Sequence, residues 1–238
     1  MSALPPFLLF DLDDTLLDYS ASGRRCWQEL FLEYAPRFGV AVEQLSTALQ
    51  QSSSWFWSDS ERHRTGRLDL KTSRRRVLRL TLEKLGIDDD TLGDEIADAF
   101  TLQREEMISP FPGAVETVQE FQLRGIRMGL VTNGSGELQR KKIRRFDLGR
   151  YFEIIIIEGE FGVGKPDSRV FLSALEHLGA LPAQAWMVGD DLTRDIQPAQ
   201  ELGLSTIWVD FENGGLPANS PIMPMRIVSS VADLMRGF

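Results

Sequence analysis

The sequence predicts an α/β fold, a doubly wound, Rossmann-like parallel sheet, with an all-helical cap inserted into it. Three observations carry the prediction. The first is a short apolar run, Phe7-Leu8-Leu9-Phe10, that stops abruptly at carboxylates in Asp11-Leu12-Asp13-Asp14-Thr15. A strand buried on both faces reads as continuously apolar, and the ligands of an open α/β sheet gather at the carboxyl ends of its strands. The second is the recurrence of strand-length apolar runs at 128–131, 154–157, 186–188 and 206–209, most of them separated by segments with helical apolar spacing. The third is a long stretch, residues 18–106, that does not alternate in this way.

Taken in order, the first strand is followed by helix-like segments near 21–37, 43–57, 69–85 and 90–105, as in Val77, Leu78, Leu80, Leu82 and Leu85. No convincing strand lies between them. The expected organisation is therefore a core of residues 1–17 and 107–238 with a helical insert, or cap, of residues 18–106 that covers the strand ends. The return passes through Ser109-Pro110-Phe111-Pro112, a stiff connection suited to a hinge. Pro112-Gly113 then opens a helix over about 114–123, which Gly125 ends before the second strand. Helices near 137–146, 168–178 and 195–202 complete the βαβ alternation, and Gly203 reads as the C-cap of the last. Phe211–Pro221, rich in Gly, Asn, Ser and Pro, reads as an exposed loop.

Composition narrows the function. A formal net charge of -9 repels phosphate backbones, so no nucleic acid is expected as a partner, while a local positive pocket can still take a small anion. The basic run Arg140-Lys141-Lys142-Ile143-Arg144-Arg145 reads as a solvated helix face. Cys26 is the single cysteine, which excludes an intramolecular disulfide and a cysteine zinc site and suits the reducing cytoplasm. No stretch approaches the roughly 20 apolar residues of a membrane span, and no basic region precedes the first apolar run, so neither a membrane nor secretion is expected. A small-molecule ligand is the expected partner, which the strand-end residues below narrow to a phosphate ester, and monomer and homodimer both stay open.

The strand ends carry the chemistry. They offer Asp11 and Asp13, then Thr132-Asn133-Gly134, then Gly164-Lys165-Pro166-Asp167, then Gly189-Asp190-Asp191 with Asp195. Phosphoryl transfer needs a nucleophile, donors for the equatorial oxygens, a cation against their charge and usually Mg²⁺ held by carboxylates. Asp11 is the candidate nucleophile, Thr132 and the Asn133 backbone N–H the donors, Lys165 the cation, and Asp190 with Asp11 the holders of Mg²⁺. Plainer readings exist for each: a polar turn for the Asp pair, a helix cap for Thr132, a surface cation for Lys165, a helix-terminal charge for Asp195. Gly159–Lys165 also satisfies seven positions of a phosphate-binding GxxxxGK[ST] loop, but Pro166 brings no hydroxyl for Mg²⁺ and no N–H. In the insert, Trp55 and Trp57 read as core, and Arg62, His63 and Arg64 as solvated.

These four motifs, in this order and each after a strand, closely resemble those of the haloacid dehalogenase (HAD) superfamily: DxDxT at Asp11–Thr15, the hydroxyl residue Thr132, the lysine Lys165, and the acidic pair Asp190 and Asp195. The resemblance covers the whole core and implies a Mg²⁺-dependent phosphomonoesterase working through an aspartyl-phosphate on Asp11. Asp13 would then protonate the leaving oxygen and later activate water, its backbone carbonyl joining Asp11 and Asp190 at the metal. Asp195 would orient groups around that metal, and Asp191, where relatives often carry Ser or Thr, adds a carboxylate to the supporting set. The motif contexts are most similar to the branch of pyrimidine nucleotidases and acylneuraminate 9-phosphatases, which implies a nucleoside monophosphate or sugar phosphate as substrate. The alternatives on the same fold are a haloacid dehalogenase, which typically lacks an acid at Asp13 and needs no metal, a phosphomutase, and a binding protein without catalysis.

Overall fold

A computed structural model of the protein describes residues 4–236. The chain divides into two compact units, one running up to Asp18 and resuming at Ser109, the other spanning Tyr19–Ile108.

The first unit is built on six parallel strands: β1 Phe7–Phe10, β2 Arg127–Thr132, β3 Ile154–Ile157, β4 Ala185–Gly189, β5 Ser205–Val209 and β6 Arg226–Val228. Their order, β3-β2-β1-β4-β5-β6, reverses direction between β1 and β4, which is where ligands of such sheets bind. Phe10 pairs with Leu130 on one side and Val188 on the other, and the Asp11 N–H extends the ladder to the Val188 carbonyl at 2.9 Å. The doubly wound sheet expected from the sequence is therefore present. β6 was not expected; its three residues bury only Val228, too little to read as a strand.

Alternation along β1 sends neighbouring side chains to opposite faces. Leu9 packs with Phe171, Ala174 and Leu175 of the helix Ser168–Leu178 and with Ala199 of the helix Gln197–Glu201. Phe10 stacks instead on Phe121 of the helix Ala114–Leu123, with ring centroids 6.4 Å apart. Each such side chain, removed from water, contributes roughly 1.5–3 kcal/mol. The helix Ser168–Leu178 shows the local logic plainly: Asp167 caps it by accepting the Arg169 N–H at 3.0 Å, and Val170, Phe171, Ala174, Leu175 and Leu178 form its buried stripe. Gly203 ends the last helix at φ +90°, a conformation that side chains with a Cβ rarely adopt.

The second unit contains α1 Ser20–Phe38, α2 Val42–Ser58, α3 Ser60–Gly66, α4 Leu70–Lys84 and α5 Asp90–Met107. Four of these match the expected segments. α3 is new, and it is opened by Asp59, whose carboxylate accepts the Arg62 N–H at 2.8 Å. Asp69 and Asp89 cap α4 and α5 in the same way, accepting from the backbone N–H of Thr72 and Leu92. The core joins Cys26, Leu30 and Phe31 of α1, Leu45 of α2, Leu78 and Leu82 of α4, and Ile96 and Phe100 of α5. Trp27 lies flat on Phe100 with centroids 3.9 Å apart. Outside this core, Arg75 grips Asp98 and Arg79 grips Asp94, each through two hydrogen bonds, so paired charges tie α4 to α5.

Trp55 corrects the sequence reading. It is 49% exposed rather than core, and the Arg62 guanidinium sits 4.0 Å above its ring. Arg62 also donates to the backbone oxygens of Trp55 and Phe56, so it closes the turn between α2 and α3 instead of standing in solvent.

Burial pushes the Cys26 thiol up to about 11, with its sulfur facing the Phe100 carbonyl at 3.8 Å. Iodoacetamide at pH 8 should therefore leave Cys26 unlabelled in the native chain over a period that labels the urea-unfolded chain fully, as read by intact mass. Rapid native labelling would mean that α1 opens from the bundle.

Candidate active site

Asp11 follows the last residue of β1 and is buried, with Lys165 Nζ hydrogen-bonded to its Oδ1. The same ammonium stands 2.6 Å from Asp195 Oδ1. Lys165 is only 3% exposed, and burial alone would strip its proton. Asp11 and Asp195 outweigh that effect and hold the ammonium charged. The loop reaches this position because Asn133 grips it by the backbone: its side chain donates to the Lys165 carbonyl at 2.8 Å and accepts the Lys165 N–H at 2.7 Å.

Asp190 follows the last residue of β4, and its backbone carbonyl is held by the Trp208 indole N–H at 2.6 Å. Thr15 Oγ1 lies between Asp11 and Asp190, 3.4 and 3.3 Å from their carboxylates. After Asp191 the chain makes one wide π turn, Leu192–Ile196, that returns Asp195 beneath Gly189. Any Cβ at Gly189 would collide with the Asp195 carboxylate, so only glycine fits there. Asp191 itself turns away from the cluster. Its carboxylate accepts the backbone N–H groups of Thr193 and Arg194, both at 2.9 Å, and pairs with the Arg194 guanidinium.

Among the described residues, Asp11, Asp190 and Asp195 form an acidic group able to share an ion, with ligand oxygens all within 4.8 Å of one another. Its charge balance fits a divalent cation: three carboxylates face the one ammonium of Lys165. Burial, then the charges of Asp11, Asp195 and Asp14, push the Asp190 carboxyl well above its ordinary range. Burial also raises Asp195, to about 7, against the pull of Lys165. Hard oxygen ligands of this kind suit Mg²⁺. The carboxylate of Asp13 lies outside this group.

Thr132, the last residue of β2, is buried, and two residues of the following helix, α7 Gly136–Arg145, complete its surroundings. Gln139 Nε2 donates to Thr132 Oγ1 at 2.6 Å, to the Asn133 carbonyl at 2.9 Å and to Asp13 Oδ2 at 3.0 Å. Lys142 Nζ meets both oxygens of Asp13, at 2.8 and 2.7 Å. The sequence reading passed over Gln139 and assigned Lys142 to a solvated face, yet Lys142 is only 12% exposed. Their spacing was the available signal: residues 139, 142 and the buried Ile143 share one side of a helix that begins just beyond Thr132. Glu158 was also missed; its buried carboxylate accepts the Gly134 N–H at 2.9 Å.

An open parallel sheet whose carboxylates, hydroxyl and ammonium converge at the strand ends where its order reverses defines a class, the α/β enzymes that work from that crevice. The chain belongs to the haloacid dehalogenase-like hydrolase family, whose sequence profile matches residues 7–203. It is 32% identical to a phosphoserine phosphatase of Thermus thermophilus over 85% of this chain and 88% of the relative. It is 30% identical to the pyrimidine 5'-nucleotidase YjjG of Escherichia coli over 96% of this chain and 95% of the relative. An N-acylneuraminate-9-phosphatase of Rattus norvegicus is 29% identical over 95% of this chain and 91% of its own. These relatives agree with the branch that the motifs suggested. The fold matches the crystal structure of the HAD-hydrolase YfnB from Bacillus subtilis, solved with magnesium, at a TM-score of 0.74 and 24% identity, covering 97% of this chain and 96% of that one. Among the described residues, no helix is long and apolar enough to cross a membrane.

The raised carboxyls have a thermodynamic consequence. Between the ordinary carboxyl range near 3.8 and their raised folded values, Asp190 and Asp195 keep protons that the unfolded chain has released. Their contribution to stability is therefore full below about pH 4 and is lost as pH rises through those folded values. In EDTA, the melting temperature contribution of this cluster, read as wild type against Asp195→Asn, should decline over that rise. Mg²⁺ at pH 8 should raise the wild-type melting temperature, and an unchanged value would remove the cluster as a metal site.

Proposed function

We propose that this hydrolase is a Mg²⁺-dependent phosphomonoesterase that cleaves a small organic phosphate through an aspartyl-phosphate on Asp11. The observation that carries the reading is the convergence of Asp11, Thr132, Lys165 and Asp190 at the ends of β1, β2 and β4 and the loop after β3, supported by the phosphatases among the relatives. Asp11 attacks phosphorus along the line of the departing oxygen, and Asp13 gives that oxygen a proton as the phosphorus–oxygen bond breaks. Asp13 then takes a proton from water, whose oxygen attacks the same phosphorus and frees Asp11 and inorganic phosphate. Thr132 and the Asn133 N–H hold the equatorial oxygens, and Lys165 offsets their charge. Mg²⁺, held by Asp11, Asp190 and the Asp13 carbonyl with Asp195 in support, would supply further charge neutralisation. The magnesium in the Bacillus subtilis relative supports this assignment.

We read Tyr19–Ile108 as the cap unit of this family. Nucleoside monophosphates and sugar phosphates are the substrate classes favoured by the nucleotidase and acylneuraminate-phosphatase relatives, and phosphoserine is added by the Thermus enzyme. The single buried cysteine favours a cytoplasmic enzyme. Asp13 with Asp190 favours phosphate ester hydrolysis over dehalogenation, which keeps the Asp11 nucleophile but needs no metal.

A panel of these three substrate classes should show phosphate release that requires Mg²⁺ and stops in EDTA. Asp11→Asn should lower kcat by about 10³-fold or more while leaving the circular dichroism spectrum unchanged. Undiminished metal-dependent release by that variant would sink the nucleophile assignment, and phosphate reappearing on a second hydroxyl of the substrate would mark a mutase.

A further inference from the structure

Gln139 and Lys142 lie three residues apart on the inner side of α7, and neither belongs to the four motifs. Between them they contact two of the groups to which the proposed reaction gives work, Asp13 and Thr132. We propose that they are a pair of positioning residues: Lys142 holds Asp13 as a carboxylate aimed to take the proton of the water that hydrolyses the aspartyl-phosphate, and Gln139 turns the Thr132 hydroxyl hydrogen toward the phosphoryl group. The inference rests on the phosphomonoesterase reading and extends it to the residues that aim its machinery.

The orientation of Gln139 follows from its neighbours. Two of the three groups around Nε2, the Asp13 carboxylate and the Asn133 carbonyl, can only accept hydrogen bonds, so the amide must present its NH₂ and not its oxygen. With Gln139 donating to Thr132 Oγ1 at 2.6 Å, the threonine oxygen acts as acceptor and its own hydrogen points elsewhere. Its one contact inward, to the Asn133 carbonyl, is 3.5 Å long, beyond the range of a strong O–H···O bond, and that carbonyl also receives Gln139 at 2.9 Å. The hydrogen is thus left for an acceptor beyond the strand end, which is where a phosphoryl oxygen would stand. An NH₂ has two hydrogens for three acceptors, so Gln139 cannot by itself hold Asp13. Lys142 does that, spanning both carboxylate oxygens with a charge-assisted contact from a nearly enclosed ammonium.

The two roles separate by step. Thr132 meets the phosphoryl group as the leaving oxygen departs, whereas Asp13 takes its proton from water only once the aspartyl-phosphate has formed. Mg²⁺-loaded wild type, Lys142→Met, Lys142→Gln and Gln139→Leu would be assayed with p-nitrophenyl phosphate for kcat, for kcat/KM and for a burst of p-nitrophenol. Lys142→Met should lower kcat by roughly 10-fold or more, leave kcat/KM within about 3-fold and show a burst, because hydrolysis of the intermediate has become slow. Gln139→Leu should lower kcat/KM by roughly 10-fold without a burst. Lys142→Gln repeats the first test with a polar side chain should the methionine variant not fold. If a folded Lys142 variant loses kcat/KM as much as kcat, or loses neither, the inference fails while the phosphatase reading stands. A wild-type chain that releases phosphate neither from this ester nor from any member of the substrate panel overturns the phosphatase reading and the inference with it.

Discussion

One buried ammonium holds together the crevice at the strand ends of the first unit. Lys165 is enclosed between Asp11 and Asp195, and none of the three is stable there alone. A lysine in such a place would shed its proton, and two carboxylates at this distance would repel each other without it. Removing one partner from a buried ion pair typically costs about 3–5 kcal/mol, because the other charge is left uncompensated. The triad spans the end of β1, the loop after β3 and the π turn after β4, so three distant stretches of chain are registered by a single charge balance. The remaining excess of negative charge is what makes the same crevice a plausible seat for a divalent cation.

That balance also explains the glycine beside it. Gly189 leaves room for the Asp195 carboxylate, and the π turn lets Asp195 come back under the strand end instead of continuing down a helix face. Asp191, counted from the sequence among the supporting carboxylates, is spent on the turn itself. Its carboxylate serves Thr193 and Arg194, which frees Asp190 and Asp195 to face the crevice.

What was legible in the sequence was whatever chain-local physics dictates. Buried parallel strands announce themselves as apolar runs, so the carboxyl ends carrying Asp11, Thr132 and Asp190 could be located by where those runs stop. Helices with a strong apolar stripe, such as Ser168–Leu178, were legible to the residue. β6 was not, because an edge strand that buries one side chain has no pattern to show. Trp55 and Arg62 were misread because an aromatic ring covered by a guanidinium satisfies both residues without burying either. Lys142 was misread for a related reason: five cations in six residues look like a solvated face, and only the helical phase relative to Ile143 separates the inward lysine from its outward neighbours.

The reciprocal pair of hydrogen bonds between Asn133 and the Lys165 backbone closes a loop of chain whose two ends are 32 residues apart. Everything between those ends, including β3 and the short helix Glu158–Phe161, hangs from a fixed staple. Outside Gln139, Lys142, Glu158 and the paired residues of β3, sequence can drift within that span without changing where the ammonium meets Asp11. The fold thus separates the positions that must keep their dimensions from positions that evolution can rewrite.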